Sequence, residues 1–310
     1  MSDNDDIPFN RDFPLKPGVV DAVRPGVRRI LCNNPSPFTF TGTNSYIIGE
    51  GKVAVIDPGP DNEEHARALL DAVKGETVTH IIVTHTHRDH SPNTARIKAA
   101  TGAKVYAEGA HRASRPRYET ETISSESGAD RDFKPDVTVR DGETISGGGW
   151  ALEAVATPGH TANHMAFAWR ERKFLFVGDH VMGWSTSIVA PPDGSMIDYM
   201  ASLAKLAQRD DDLYFSGHGP EIPNGPKYVN FLIRHRQARE ASILHRLAKG
   251  EADIPTLVRA IYIGIDPRLT GAAGYSVLAH LEDLVARKIV ATSGDPVIGG
   301  SYRLVEANSE

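Results

Sequence analysis

Three histidines and an aspartate stand within six positions of the chain, directly after an apolar run. The β-branched run 81–83 predicts a buried strand, and His85, His87, Asp89 and His90 follow it. Residues two apart on an extended segment point to the same side, so His85 and His87 can bind one ion. Asp89 and His90 follow where the chain should turn, and they can face a second ion. Imidazole nitrogen and carboxylate oxygen are typical ligands of divalent transition metals.

Further candidate ligands stand at three other predicted strand ends. His160 follows Thr-Pro-Gly, Asp179 lies in Gly-Asp-His and His218 lies in Gly-His-Gly, where the glycines let the backbone approach an ion closely. We therefore predict two metal sites with an open position each: His85, His87 and His160 in one, Asp89, His90 and His218 in the other, and Asp179 bridging them.

The predicted metal centre would activate a water molecule, and further residues are expected to support it. Two ions ~3.5–4 Å apart lower the pKa of a shared water to about 7, so hydroxide would be the nucleophile. Asp89 and Asp179 are the carboxylates expected to take part in catalysis. We assign Asp57, in Asp-Pro-Gly, to orienting a ligand histidine from behind. His164 and His180 have no predicted metal partner and are interpreted as structural or substrate-facing.

The composition excludes several classes of protein. The chain has 310 residues and a formal net charge of −6, so it lacks the overall basic character of nucleic-acid-binding proteins. Cys32 is the only cysteine, which excludes an internal disulfide and a thiolate metal cluster. The polar start 1–6 is unlike a signal peptide, and no apolar run approaches the ~20 residues of a membrane span. These features predict a cytoplasmic protein without a membrane partner.

The element pattern predicts two units. Residues 1–27 read as a loosely attached N-terminal arm, and 28–235 read as strands ending in His- or Asp-containing turns, with intermittent helices. This α/β pattern indicates two sheets packed face to face with helices outside. Residues 236–310 read as helices followed by a two-stranded wing, with a long helix as connector. The polar stretch 111–136 lacks a core pattern and is either a mobile loop beside the site or surface filler.

The motif set resembles the metallo-β-lactamase superfamily. The segment His85-Thr-His87-Arg-Asp89-His90, followed by His160, Asp179 and His218, matches that superfamily residue type for residue type over roughly 28–225. The segments 41–46, 157–161 and 217–220, the His235-Arg236…Arg239-Glu240 helix and the trailing winged helix resemble the branch named after beta-lactamase-like protein 2. The resemblance implies a four-layer αββα sandwich with a small C-terminal winged-helix domain.

The resemblance implies a metal-dependent hydrolase with a dinuclear centre, expected to hold zinc, with manganese or iron as alternatives. Because animal members of the branch are single-strand endoribonucleases, single-stranded RNA or another phosphodiester is one expected substrate class. Arg88, Arg234 and Arg236 are candidates to contact phosphate.

Several alternatives stay open. A thioester or small-ester hydrolase resembling glyoxalase II is the second hypothesis, although the wing counts against it. A mononuclear iron dioxygenase using His85, His160 and Asp179 is a third, while β-lactam hydrolysis is disfavoured because no export signal is seen. A metal-sensing regulator that binds DNA through the winged helix is the non-enzymatic hypothesis. A homodimer is also open.

Overall fold

Two β-sheets lie face to face in the computed structural model, which describes residues 7–121 and 128–306. The strands of the first sheet are β1 (Val20–Arg24), β2 (Val27–Leu31), β3 (Asn44–Ile48), β4 (Lys52–Ile56), β5 (Thr77–Ile82), β6 (Lys104–Ala107) and β7 (Val137–Thr138), paired in chain order. The strands of the second are β8 (Thr144–Ser146), β9 (Ala151–Ala156), β10 (Met165–Trp169), β11 (Phe174–Gly178), β12 (Leu213–Ser216) and β13 (Ile222–Pro223). They pair in the order β13-β12-β11-β10-β9-β8.

Apolar side chains fill the space between the sheets because alternate residues of each strand point inward. Tyr46 of the first sheet meets Phe176 and Phe215 of the second edge-on, with ring centroids 5.3 and 5.5 Å apart. Fully burying a large apolar side chain stabilises a fold by about 1.5–3 kcal/mol, so this layer holds the two sheets in one relative position.

Helices cover the outer face of each sheet. The first sheet is covered by α1 (Glu63–Ala72) and α2 (Thr94–Thr101), and the second by α3 (Met196–Ala207) and α4 (Gly225–Leu247). The N-cap side chain of Asn62 accepts a hydrogen bond from the backbone N–H of His65, and Ser195 caps α3 in the same way. The four-layer αββα arrangement predicted from the sequence is therefore confirmed. No helix in the described part of the chain is long and apolar enough to cross a membrane.

The C-terminal unit has a core of its own. It contains β14 (Ala252–Asp253), α5 (Ile254–Ile261), α6 (Thr270–Ala286), β15 (Val290–Thr292) and β16 (Ser301–Leu304), with strand order β14-β16-β15. This is the predicted winged helix, and α4 connects it to the sandwich without a break at residue 235. Tyr228 and Leu232 of α4 belong to the core of the sandwich, whereas Ile243 and Leu247 belong to the winged-helix core. The boundaries at 27 and 235 stay predictions.

The prediction of a loosely attached arm is wrong for residues 7–27. Val20–Arg24 forms β1, which pairs antiparallel with β2, and Ile7 and Phe13 are buried. The sequence signal was weak because β1 is an edge strand whose residues are exposed or half-buried, so it needs no apolar face. Residues 1–6 lie outside the described part of the chain.

Stability is expected to fall when the pH falls below 6.5, partly because of His65. Burial lowers the pKa of His65 to about 4, against an ordinary value near 6.5. The folded state favours the neutral imidazole, so this contribution is complete above pH 6.5 and decreases as the pH falls towards 4. One such group changes the unfolding free energy by about 1.4 kcal/mol per pH unit.

Urea unfolding of the wild type and His65→Gln at pH 7.5 and 5.5 tests this expectation. The variant should lose about 1 kcal/mol less stability than the wild type between these pH values. Equal losses would show that His65 does not contribute.

Candidate metal centre

The predicted ligands come from the carboxyl ends of strands in both sheets. His85 follows β5 in the chain, His160 follows β9, Asp179 follows β11 and His218 follows β12. β11 and β12 pair in parallel, so their carboxyl ends lie side by side. A backbone bridge between Thr43 and His218 joins the two sheets at this edge. The strand ends therefore meet on one side of the sandwich.

The first group of ligand atoms contains only imidazole nitrogens. His87 Nδ1 lies 3.1 Å from His85 Nε2 and 3.0 Å from His160 Nε2. His85 and His160 are buried, while His87 is half-buried. Three nitrogens at this spacing can surround one ion and leave a fourth position open.

The second group combines imidazoles with carboxylates. His218 Nε2 lies 3.2 Å from both Asp89 Oδ2 and Asp179 Oδ2, and His90 Nε2 lies 3.3 Å from Asp89 Oδ2. Asp179 Oδ2 is also 3.8 Å from His160 Nε2 of the first group. Within each group the candidate ligand atoms lie within 4.8 Å of one another. Asp179 thus occupies the position expected of a bridging ligand, and the ligand roles themselves stay predictions.

The chemistry of the group fits divalent cations. Burial alone would raise the pKa of Asp179, but His218 and His90 outweigh burial and hold the pKa well below its ordinary value. His90 Nε2 and Asp179 Oδ1 are buried and make no hydrogen bond to any described residue. Buried anionic oxygen beside unused imidazole nitrogen is the donor set of a transition-metal site.

Asp57 lies behind the ligands, at the position assigned to it from the sequence. Its Oδ2 is 3.0 Å from His90 Nδ1 and accepts a hydrogen bond from Thr84 Oγ1 at 2.7 Å, while Oδ1 accepts from the Thr84 backbone N–H at 2.8 Å. Thr84 Oγ1 is in turn 3.0 Å from His85 Nδ1. Asp57 can therefore orient ligand histidines of both groups, and its function stays a prediction.

Replacing Asp57 by alanine is expected to weaken metal binding about 10–100-fold, the usual effect of removing a partner of a ligand histidine. Competition with a chromophoric zinc chelator measures the affinity. Asp61→Ala, which removes an exposed carboxylate four residues away, should bind zinc like the wild type. If Asp57→Ala binds zinc as tightly as the wild type, Asp57 does not orient the ligand histidines.

Other partners of the ligand histidines escaped the sequence analysis. The contacts are His87 Nε2 to Asp193 Oδ2 at 3.3 Å, His160 Nδ1 to Ile188 O at 2.6 Å and His218 Nδ1 to Gly42 O at 3.0 Å. Two of these partners are backbone carbonyls, which have no sequence signal. Asp193 stands in a Pro-Pro-Asp-Gly stretch, where an aspartate is typical of a turn.

His164 and His180, predicted to be structural or substrate-facing, lie beside the ligands, and their role stays a prediction. His164 is buried, lies 2.8 Å from Thr157 Oγ1 through Nδ1 and accepts a hydrogen bond from the Asp179 backbone N–H at 3.3 Å. His180 is buried against Tyr199. Burial is the main reason why the pKa values of both imidazoles are low, so both stay neutral.

The polar stretch 111–136 lies beside the ligand turn. The Arg88 backbone N–H donates to Gly128 O at 2.7 Å, and the Asp130 backbone N–H donates to Thr86 O at 2.8 Å. At its other end, Arg115 pairs with Glu282 of α6. This placement favours the hypothesis of a loop beside the site over surface filler, while residues 122–127 lie outside the described part of the chain.

The three arginines considered for phosphate differ in accessibility. Arg88 is exposed beside Asp89 and donates from Nε to Ala129 O at 3.1 Å. Arg234 is exposed and lies over the Phe231 ring. Arg236 is buried, and its Nη2 donates to the carbonyl of Ser187.

Two families match the chain. Residues 38–218 match the metallo-beta-lactamase superfamily, and residues 254–300 match the beta-lactamase associated winged helix domain. The solved structure of a metallo-beta-lactamase family protein from Thermus thermophilus is similar to this chain with a TM-score of 0.74 and 24% identity, covering 92% of this chain and 100% of that protein.

Two relatives are similar in sequence. A beta-lactamase-like protein 2 homolog of Caenorhabditis elegans is 32% identical over 236 residues, which cover 75% of this chain and 74% of the relative. An atrochrysone carboxyl ACP thioesterase of Passalora fulva is 29% identical over 299 residues, which cover 92% of this chain and 80% of the relative.

Proposed function

The chain belongs to the metallo-beta-lactamase superfamily of hydrolases, and from this premise we propose that it hydrolyses acyl thioesters or esters at a dinuclear zinc centre. The observation that carries the proposal is the position of Asp179 Oδ2, within 3.2 Å of His218 Nε2 and 3.8 Å of His160 Nε2. One carboxylate oxygen adjoins both groups of ligands, as a bridging ligand requires.

Each group of ligands would hold one ion. His85, His87 and His160 would bind the first, Asp89, His90 and His218 would bind the second, and Asp179 would be shared. Bound zinc supplies a water that ionises near neutral pH and positive charge that stabilises the developing oxyanion. Asp89 and His87 have the most exposed side chains of the set, 26% and 22%, so substrate reaches the centre from their side. Asp89, the more exposed carboxylate, would accept a hydrogen bond from the water that attacks the substrate and so orient it.

The thioester or ester preference is supported by the comparisons and by the arginines. The relative named as an ACP thioesterase aligns with 92% of this chain, so the alignment includes much of the winged helix. The wing therefore does not count against this activity, contrary to the sequence-based argument. Of the three arginines proposed to contact phosphate, Arg236 is 3% exposed, so a polymeric RNA backbone cannot lie against it, which leaves few cations for RNA.

Cleavage of single-stranded RNA is the second candidate. Exposed Arg88 next to Asp89 favours it, since a guanidinium there can stabilise the charge of a phosphodiester transition state. The similarity to a beta-lactamase-like protein 2 homolog also supports this candidate.

One preparation of zinc-loaded protein can separate these activities. Octanoyl-N-acetylcysteamine, p-nitrophenyl octanoate, bis(p-nitrophenyl) phosphate and a fluorescent single-stranded RNA are assayed in parallel. We expect thioester or ester hydrolysis with kcat/KM at least tenfold above that for the phosphodiester, a difference of about 1.4 kcal/mol. RNA cleavage without thioester or ester hydrolysis would reverse the order of the two candidates. A duplex-DNA gel shift tests the regulator hypothesis separately.

A further inference from the structure

A cavity of about 510 Å³ lies at the junction of the sandwich and the winged helix. We call it the junction cavity; its walls are Phe9, Arg11, Pro37, Phe38, Met182, residues 184–188, His235, Arg236, Arg239, residues 261–265, Leu269, Ala272, Ala273 and Ser276. Its volume is in the range of small-molecule sites, about 300–1,000 Å³. None of the seven predicted metal ligands lines it, so it is distinct from the candidate metal centre.

Arginines supply the charge of the junction cavity in the described part of the chain. Arg11, Arg236 and Arg239 line it, and no described aspartate or glutamate does. This contrasts with the whole chain, which has a net charge of −6. A recess with cationic groups and no acidic ones concentrates anions.

Arg236 is the cation of the junction cavity that most needs a negatively charged partner. Its side chain is 3% exposed, and Nη2 donates to the Ser187 carbonyl. The guanidinium also lies over the Tyr199 ring at 5.2 Å, and no ion pair joins it to a carboxylate of the described residues. Buried Arg29, in contrast, pairs with Asp21 at 2.6 Å and Glu221 at 3.2 Å. A buried charge without an opposite charge is costly, so a bound anion would stabilise Arg236.

Two further basic side chains, Arg239 and His280, lie near Arg236. Arg239 is also buried, lies over the Tyr262 ring at 4.1 Å and donates to Ile261 O at 3.4 Å. Behind the cavity, burial and then Arg236 and Arg239 lower the pKa of buried His280 well below its ordinary value. The His280 imidazole therefore stays neutral and adds no positive charge to the cavity.

Several apolar side chains also line the cavity and suit a hydrocarbon body. Phe38, which is 48% exposed, is one of them, and Trp184, stacked on Phe40 with ring centroids 4.8 Å apart, is another. Ile265 and Leu269 of the winged helix line it as well. Burial of an apolar chain here is favourable by roughly 25 cal/mol per Å². The cavity thus offers both cationic and apolar side chains to a ligand.

We propose that the junction cavity binds an amphipathic anion, a phosphate or carboxylate on an apolar chain, with the anionic group against Arg236. This site goes beyond the proposed hydrolysis and needs no metal. It shares a wall with the metal centre: Ser187 Oγ donates to Asp179 O at 2.6 Å, and Ile188 O is the partner of His160 Nδ1. An occupied cavity would hold this wall in place.

Calorimetric titration of the zinc-loaded full chain with octyl phosphate, octanoate and octanol tests the proposal. At least one anion should bind about tenfold or more tightly than octanol, since hydrogen bonds to charged groups contribute that much. The tighter of the two anions identifies whether the natural ligand carries phosphate or carboxylate. Octanol binding as tightly as both anions would overturn the proposal.

Arg236→Met should weaken binding of the preferred anion about tenfold or more. Arg234→Met is the matched control, because Arg234 is exposed on the same helix, does not line the cavity and should leave binding within about twofold of the wild type. If Arg236→Met does not fold, Ala272→Glu serves instead, since it places a carboxylate in the cavity and should abolish anion binding. Unchanged binding in a folded cavity variant would overturn the proposal.

His85→Ala separates the junction cavity from the metal centre. An anion bound to zinc would be lost with this ligand, whereas binding in the cavity should stay within about twofold of the wild type. Failure of the proposed hydrolysis would leave this result unaffected. Loss of anion binding in His85→Ala together with normal binding in Arg236→Met would place the anion at the metal centre and refute the site.

Discussion

Asp179→Asn is expected to abolish hydrolysis while the protein still folds. Asp179 is the carboxylate that adjoins both ligand groups, so in the proposed dinuclear centre its loss would affect the shared nucleophile and the relative position of the two ions. A metal centre supplies several kcal/mol of transition-state stabilisation, which corresponds to a loss of about 1,000-fold or more in kcat/KM. His85→Ala should have a comparable effect because it opens the first ligand group.

The measurement combines kcat/KM on the preferred substrate with metal content and thermal unfolding. Asp210→Asn is the control, since Asp210 is an exposed carboxylate next to the second sheet and should leave kcat/KM unchanged. A folded Asp179→Asn protein that keeps more than about a tenth of wild-type activity would refute the catalytic assignment of Asp179.

Removal of metal by a chelator is expected to lower stability as well as activity. A ligand present at about 1,000 times its Kd stabilises the folded state by about 4 kcal/mol. For a domain of this size the melting temperature then falls by about 10 °C. Scanning calorimetry with and without chelator measures the shift, and His85→Ala should show a smaller one. Equal melting temperatures for wild type with and without chelator would contradict tight binding at these residues.

The chelator effect is expected to grow with pH. Burial opposes the charged form of His218, but Asp179 outweighs burial and raises the pKa of the metal-free imidazole to about 10. Metal binding must displace that proton, so affinity increases as the pH rises towards this value and falls in acid. The difference in melting temperature should therefore be larger at pH 8 than at pH 6.

The candidate ligands could be found from the sequence because they are chemically distinctive and stand at strand ends. His85, His87 and Asp89 are close in the chain, and Gly-Asp179 and Gly-His218 repeat the same position after other strands. Parallel pairing then brings the strand ends together. The sandwich followed from the same alternation of strands, turns and helices, together with the resemblance.

The partners of the ligands could not be found in this way. The carbonyls of Ile188 and Gly42 bind histidines through backbone atoms, which every residue possesses. The strand at Val20–Arg24 was missed because an edge strand can be stable with little apolar surface. The junction cavity brings together α4, α6 and the loop 184–188, and the distances between these segments depend on tertiary packing.

One continuous helix, α4, contributes to the interior of both halves of the protein. One uninterrupted helix from Gly225 to Leu247 supplies Leu232 to the interior of the sandwich and Ile243 to the interior of the wing. A break within α4 would expose apolar side chains that the helix buries in the sandwich and in the wing. We therefore expect that neither half keeps its core intact when α4 is divided between two separate chains.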